Sequence, residues 1–354
     1  MKILYLYSEL VAYQIPIFVE YTTKYNAKVH VVSWDKNKLK PYNPPELNNV
    51  TYYKRSEYTK NTLTQLVTDI NPDIIYISGW MDRVYLSVVR NFLKKGVPVV
   101  TGFDDQWKGT LRQRLASVLF PFVRKKYYSH AWVAGPYQYE FAKRLGFKKK
   151  EIILNLLCCN TRVFSRGVQY LKEKASHYPR AFLYVGNFRY VKGTDILIEA
   201  FKEYRSKYNG DWELICIGNG EMRPLLEGVP DVQILGFMNQ DELVEITRRA
   251  GVFVLPSRSE QWGVVVQEFA CAAMPLILSE DVGAMPEFFI EKFNGISYKT
   301  NSSSNLAKAM YLISKKSDEE LVIMSKNSFL LSQRITPEIT AASFLSILAN
   351  GAVL

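Results

Sequence analysis

Histidine and cysteine are scarce in these 354 residues, three of one and four of the other. His30, His130 and His177 stand alone, and Cys158, Cys159, Cys216 and Cys271 form no Cys-x-x-Cys pair and accompany no histidine at a metal spacing. That set argues against a zinc site or a Ser-His-Asp triad, and predicts buried thiols in a reducing compartment. Long apolar runs are missing too. None approaches the roughly 20 residues of a membrane span, and the longest, the tail 340–354, carries an Asn and hydroxyls. The opening MKILYLYS enters a strand pattern directly, without the apolar centre of a signal peptide. There is no internal repeat or low-complexity segment. A cytoplasmic protein is expected.

Apolar and basic residues are plentiful. At 48% hydrophobic and 14% aromatic the chain can bury substantial cores, and its length suits two domains of about 150–200 residues. The net charge of +11 is uneven: residues 1–165 hold 25 Lys and Arg against 12 Asp and Glu, a balance of +13, whereas residues 166–354 hold 20 against 22, a balance of −2. An anionic partner is expected for the N-terminal half.

In that half, strand patterns at 2–7, 29–33, 73–78, 97–101 and 130–134 alternate with helical ones at 15–25, 62–70, 82–95, 109–127 and 136–145. Residues 35–61, with Pro41, Pro44 and Pro45, look like a long polar loop. The alternation predicts an α/β, doubly wound parallel sheet with ligands beyond the strand C-termini. Ser8-Glu9, Gly79-Trp80-Met81-Asp82 and the loop 102–107 then lie on the rim. Asp104, Asp105 and Trp107 suit a sugar acceptor, because aromatic faces stack on sugars and a carboxylate can take a hydroxyl proton. An Asp N-cap in a solvated loop explains the same residues. The segment Leu111–Tyr128 (LRQRLASVLFPFVRKKYY) interleaves five basic residues with apolar ones. It is either an interfacial helix on an anionic membrane, supported by Lys148, Lys149 and Lys150, or a sheet-covering helix with a basic outer face. Pro121 predicts a break or kink within it.

The C-terminal half concentrates its chemistry between Gly251 and Glu287. Residues 252–255 (VFVL) predict a buried strand and 264–274 (VVVQEFACAAM) a helix apolar on nearly every face, with Gly263 between them. Strand, glycine-bearing loop and helix make a phosphate-binding geometry, since the first-turn N–H groups are free and carry the positive end of the dipole. Glu260 precedes the helix and Glu268 lies within it. An ionised carboxylate there is costly without donors, which sugar or ribose hydroxyls would supply. The alternative is that Gln267 and Glu268 form the polar edge of a core helix. Upstream, strands 181–186, 212–217 and 232–235 each end in a loop: Gly186–Gly193, Gly218–Glu221 and Gly236-Phe237-Met238.

This series resembles the retaining glycosyltransferases of family four. The signature, Glu, seven residues, Glu, stands here as Pro256-Ser257, Glu260, Gly263 and Glu268, followed by Pro275, Gly283 and Glu287. The resemblance implies the GT-B fold, two Rossmann-like doubly wound domains facing across a cleft. Residues 1–160 would be the acceptor-side domain, 161–180 a linker, 181–335 the nucleotide-sugar domain, and 336–354 a helix crossing back to the first. It implies sugar transfer from a nucleotide-diphosphate sugar to a glycan or lipid-linked acceptor, in cell-surface polysaccharide synthesis, with no cofactor and no metal; no Asp-x-Asp motif occurs. Glu260 would contact donor-sugar hydroxyls near the reacting carbon, and Glu268 the ribose. Lys192 and the N–H groups of Val264 and Val265 would hold the diphosphate, with Gly186, Gly218, Phe237 and Met238 completing the donor loops. Three departures stand out. Asn187 occupies the position of a family Arg, with Arg189 two residues on. Phe103 and Asp104 replace a His region, and SELVAYQIP replaces a glycine-rich loop. Asp104 is therefore a candidate catalytic group, with Glu9, Trp80, Asp105 and Trp107 on the acceptor side.

Four alternatives compete. A retaining hydrolase needs two carboxylates about 5–5.5 Å apart, such as Asp104 or Asp105 with Glu260, and leaves the phosphate features idle. A GT-B-like sugar-nucleotide epimerase would need no acceptor. A non-catalytic nucleotide-sugar-binding subunit is favoured by Asn187 and disfavoured by Glu260, Glu268 and Lys192. A nucleic-acid binder explains only the basic charge, so no nucleic-acid partner is expected. Peripheral contact with an anionic inner membrane face fits the basic first domain.

Overall fold

The computed structural model describes residues 1–35 and 42–349. Part of the proline-bearing loop, residues 36–41 with Pro41, lies outside the described residues, as do 350–354 of the C-terminal segment. The chain forms two α/β units: Met1–Cys158 together with the segment from Ile335, and Cys159–Arg334.

The first unit runs β1 (Lys2–Tyr7), α1 (Ile15–Lys24), β2 (Lys28–Ser33), β3 (Val50–Lys54), α2 (Lys60–Ile70), β4 (Ile74–Ser78), α3 (Arg83–Lys94), β5 (Val99–Phe103), α4 (Leu111–Arg124), β6 (His130–Val133), α5 (Pro136–Arg144) and β7 (Ile152–Ile153). The seven strands are parallel, in the order β3-β2-β1-β4-β5-β6-β7. Helices covering both faces of a parallel sheet explain why β1, β4 and β5 are near-continuous apolar runs. Strand order reverses between β1 and β4, a switch point that opens a crevice at their C-terminal ends. Two expectations are corrected. β3 lies inside the supposed loop 35–61. As an edge strand it is partly exposed along its whole length, so VTYYK carries no strong apolar pattern. The helix α4 also passes unbroken through Pro121. Its ring packs on Gly146, where a Cβ would come within 2.7 Å of it.

The second unit runs α6 (Thr161–Phe164), α7 (Leu171–Ser176), β8 (Ala181–Val185), α8 (Thr194–Lys207), β9 (Glu213–Ile217), β10 (Val232–Leu235), α9 (Gln240–Ile246), β11 (Val252–Leu255), α10 (Val264–Cys271), β12 (Leu276–Ser279), α11 (Met285–Phe288), β13 (Gly295–Tyr298), α12 (Ser303–Ser314) and α13 (Asp318–Ser332). Its six parallel strands are ordered β10-β9-β8-β11-β12-β13, reversing between β8 and β11. Residues 161–180, expected as a linker, are folded into this unit: Phe164, Tyr170 and Tyr178 are buried, and the Lys174 ammonium donates to the Ala250 carbonyl at 3.0 Å. Burial pushes the Lys174 amine down to about 7. The apolar anchors there are widely spaced among polar residues, which disguised the packing. The last helix, α14 (Pro337–Ala349), belongs to the first unit. Its Phe344 ring stacks on Trp132 with centres 4.8 Å apart.

Candidate active site

In the second unit the loops after β8 and β11 leave neighbouring strands at the point of reversal, so they meet. Lys192 Nζ donates to Glu260 Oε2 at 2.6 Å, and Ser257 Oγ donates to the same oxygen at 3.2 Å. The Lys192 side chain is 28% exposed and that of Glu260 13%, so salt screens this pair less than an open surface pair. The Glu260 carbonyl accepts from Gly283 N at 3.0 Å, and the Trp262 carbonyl from Ala284 N at 2.9 Å. Arg258 locks the two loops together. Its guanidinium makes two 2.7 Å bonds to the Asp195 carboxylate on α8, donates to the Tyr190 carbonyl at 2.6 Å, and lies 3.7 Å from the centre of the Tyr190 ring.

Two glycines make this approach possible. Gly193, at φ +71°, opens α8, and a Cβ there would sit 2.0 Å from the Pro256 carbonyl oxygen. Gly263, at φ +90°, opens α10, and its Cβ would lie 2.9 Å from Glu260 Cγ. Neither helix start carries a side-chain cap. At the start of α10 the first-turn N–H groups, those of Val264 and Val265 among them, therefore have no acceptor within their helix, whereas at the start of α8 the Asp195 carboxylate accepts from Ile196 N. Lys192 and the uncapped start of α10 make this part of the sheet edge electropositive, with the Glu260 carboxylate held beside the ammonium and Asp195 paired with Arg258 at the start of α8.

Gln267 and Glu268 differ sharply. Gln267 is buried and bonded inside the unit, accepting from Cys159 N at 2.7 Å and donating to the Ser332 carbonyl at 2.9 Å. Glu268 is half-buried, and burial pushes its carboxyl up to about 7. Hydroxyl donors would favour its charged form. The Asn187 carbonyl orders the first loop, accepting from Tyr184 Oη at 3.0 Å and Arg189 N at 2.9 Å. Arg189 has an exposed side chain, and its carbonyl accepts from Lys192 N at 3.0 Å. Gly186 N donates to the Ile217 carbonyl and Gly218 N to the Leu235 carbonyl, fastening the ends of β8, β9 and β10. Phe237, 91% exposed, follows β10 beside the half-buried Met238. The donor-side candidates thus gather at the C-terminal edge of one sheet.

In the first unit Trp80, Asp104 and Asp105 line a cavity of about 320 Å³ with Tyr7, Tyr13, Tyr76 and Arg112. Burial pushes the Asp105 carboxyl up, with Arg112 opposing. Burial, then neighbouring tyrosines and the Asp104 charge, hold the Tyr7, Tyr13 and Tyr76 hydroxyls protonated. Glu9 lines a second cavity of about 470 Å³ with Trp34 and Arg55. Trp107 is placed differently from expectation. It packs on Phe141, ring centres 5.9 Å apart, and Arg144 covers one face at 4.6 Å, so that face is closed to a sugar. Asp82 on the rim is structural: it caps α3 through Val84 N and Tyr85 N and accepts from Arg55 Nε at 2.9 Å. Ser257 belongs to the signature, but its bond to Glu260, the pairing of Arg258 with Asp195 and the cavity tyrosines carry no signal of that kind in the sequence. The signals they do carry are faint: an arginine inside the motif, and tyrosines scattered over β1, the turn before α1, and β4.

Residues 171–329 match the family model described as "Glycosyl transferases group 1". Over 124 residues the chain is 34% identical to an uncharacterised glycosyltransferase of Methanocaldococcus jannaschii, covering 33% of this chain and 31% of the relative. Over 188 residues it is 29% identical to alpha-monoglucosyldiacylglycerol synthase of Acholeplasma laidlawii, covering 51% of this chain and 46% of the relative. These matches thus span under half the length of either relative. Anabaena HepE, solved in complex with UDP-glucose, aligns with a TM-score of 0.74 at 14% identity, over 99% of this chain and 100% of that one. That likeness concerns the fold, which is of the GT-B type.

Proposed function

We propose, from residues 171–329 belonging with the group 1 glycosyltransferases, that the chain moves a sugar from a nucleotide-diphosphate sugar to a glycan or lipid-linked acceptor, with retention at the anomeric carbon. The observation that carries this reading is the 2.6 Å contact of Lys192 with Glu260 beside the uncapped start of α10. An ammonium and free N–H groups stabilise the charge that grows on a departing diphosphate, without a metal or cofactor. In the free protein Glu260 neutralises Lys192; with donor bound, the diphosphate takes over the ammonium and Glu260 turns to the sugar hydroxyls. Glu268 accepts from the ribose, and Phe237 offers its exposed ring to the base. The bond from the anomeric carbon to the phosphate oxygen breaks as the acceptor oxygen attacks the same face. The acceptor proton passes to the departing phosphate oxygen, so no protein base is required.

The UDP-glucose of HepE and the diacylglycerol product named for the Acholeplasma relative support a nucleotide sugar and a lipid-linked acceptor. In this reading the acceptor meets Asp104, Asp105 and Trp80 of the first unit. A role in polysaccharide or glycolipid synthesis, with peripheral contact at an anionic inner membrane face, belongs to the same proposal and is supported by the basic first half. The test is release of nucleoside diphosphate from a panel of nucleotide sugars. Turnover of one sugar that Glu260→Ala abolishes without unfolding is expected. Wild-type turnover in that variant would remove Glu260 from the chemistry, and a product sugar isomerised while still attached to nucleotide would make the protein an epimerase.

A further inference from the structure

Helix α4 covers the sheet with one side, yet its other side is not polar. Facing the core, Phe120 packs against Trp80 and Tyr128, and the buried Arg124 bonds to Glu151 at 2.8 Å. Facing out, Leu111, Leu115, Val118 and Phe122 follow at spacings of four, three and four residues, which sets them in one stripe. They are 85%, 61%, 63% and 79% exposed. Leu119 and Val123 widen the stripe. A run of six exposed apolar side chains on one helix face is an interaction surface rather than scattered surface hydrophobics.

Charge identifies what covers it. Exposed Arg112 and Arg114 flank the stripe on either side, and Lys125 and Lys126 follow its end. Lys148, Lys149 and Lys150 are brought to the same end, because Pro121 packs on Gly146 and Arg124 lies over the Phe147 ring at 4.5 Å. No acidic residue occurs between Asp105 and Glu140. An apolar face rimmed by cations fits neither another basic surface, such as a second copy of this face, nor plain water. It fits the boundary between acyl chains and anionic headgroups. Among the described residues no helix is long and apolar enough to cross a membrane, so α4 would lie in the plane of the interface.

We propose that the outward face of α4 inserts into the surface of an anionic lipid bilayer, with Leu115, Val118 and Phe122 among the acyl chains and the flanking Arg and Lys residues on the headgroups. This deepens the membrane contact of the functional reading. Because binding is measured without donor, failure here and failure of the transferase assignment are separate results. The full chain is sedimented with vesicles of phosphatidylcholine alone, and of phosphatidylcholine with about a third phosphatidylglycerol. Binding to the anionic vesicles about tenfold or more tighter is expected, falling as salt rises. The double variant Leu115→Glu with Phe122→Glu should lose about tenfold or more of that binding while keeping its melting temperature. Val118→Trp, which keeps the face apolar, should shift its emission to the blue on anionic vesicles. Three results would overturn the proposal: equal binding by wild type and the double variant, no emission shift, or a wild-type dimer that the double variant dissociates, which would give the face to a second copy.

Discussion

Replacing Glu268 by Gln separates a ligand-binding carboxylate from the polar edge of a core helix. Burial raises the Glu268 carboxyl from 4.5 to about 7, a difference worth on the order of 3 kcal/mol. The folded protein therefore holds this proton more tightly than the unfolded chain does. The resulting stabilisation is complete below about pH 4.5, declines between 4.5 and 7, and is gone above 7. Glu268→Gln cannot titrate, so its stability relative to wild type should climb over that window and level off above it. Ligand binding should show the reverse preference. Ribose hydroxyls donate to the charged form, so a bound nucleotide expels the proton. Affinity should improve up to about tenfold per pH unit below 7, with up to about one proton released per nucleotide. Calorimetry in two buffers of different ionisation heat counts that proton directly. In Glu268→Gln the release should vanish and binding should weaken by about 1–3 kcal/mol. Nucleotide affinity that ignores pH, releases no proton and survives the substitution would leave Glu268 as a helix edge and nothing more.

Two further perturbations address the frame around Lys192 and Glu260. Gly263→Ala places a Cβ 2.9 Å from Glu260 Cγ at φ +90°; a loss of about 1–2 kcal/mol in urea denaturation is expected, with turnover falling much further than stability because Glu260 is displaced. Arg258→Lys removes the two-pronged grip on Asp195; denaturation should show a loss of about 2 kcal/mol, accompanied by a higher KM for donor as the loops after β8 and β11 part.

The doubly wound architecture was legible because parallel strands buried on both faces leave long β-branched runs; the strands through β11 followed apart from β3 and the two-residue β7, while β12, β13 and the short helices α6, α7 and α11 did not. β3 escaped because an edge strand needs no such run. The continuity of α4 escaped because Pro121 is judged by sequence as a helix breaker, while the space for its ring comes from Gly146, 25 positions away. In the site, Gly263, Glu260 and Glu268 were visible as a motif within one short stretch. The ion pair of Glu260 with Lys192 was not visible: the two stand 68 residues apart, and only the reversal of strand order between β8 and β11 makes their loops neighbours. Arg258 has its partner Asp195 on α8, and nothing local in the sequence marks that pairing. Trp107 is a further case: nothing local in the sequence announces its packing on Phe141 and under Arg144, both on α5.

The most direct measurement is calorimetric titration of nucleoside diphosphates and the matching monophosphates into wild type and Lys192→Ala. A diphosphate held by the Lys192 ammonium and the start of α10 should bind wild type well ahead of the monophosphate. Lys192→Ala should lose about tenfold or more in diphosphate affinity, the worth of a charge-assisted hydrogen bond, and little for the monophosphate. Equal affinity for both nucleotides, unchanged by the substitution, would place the phosphate site away from Lys192 and Glu260.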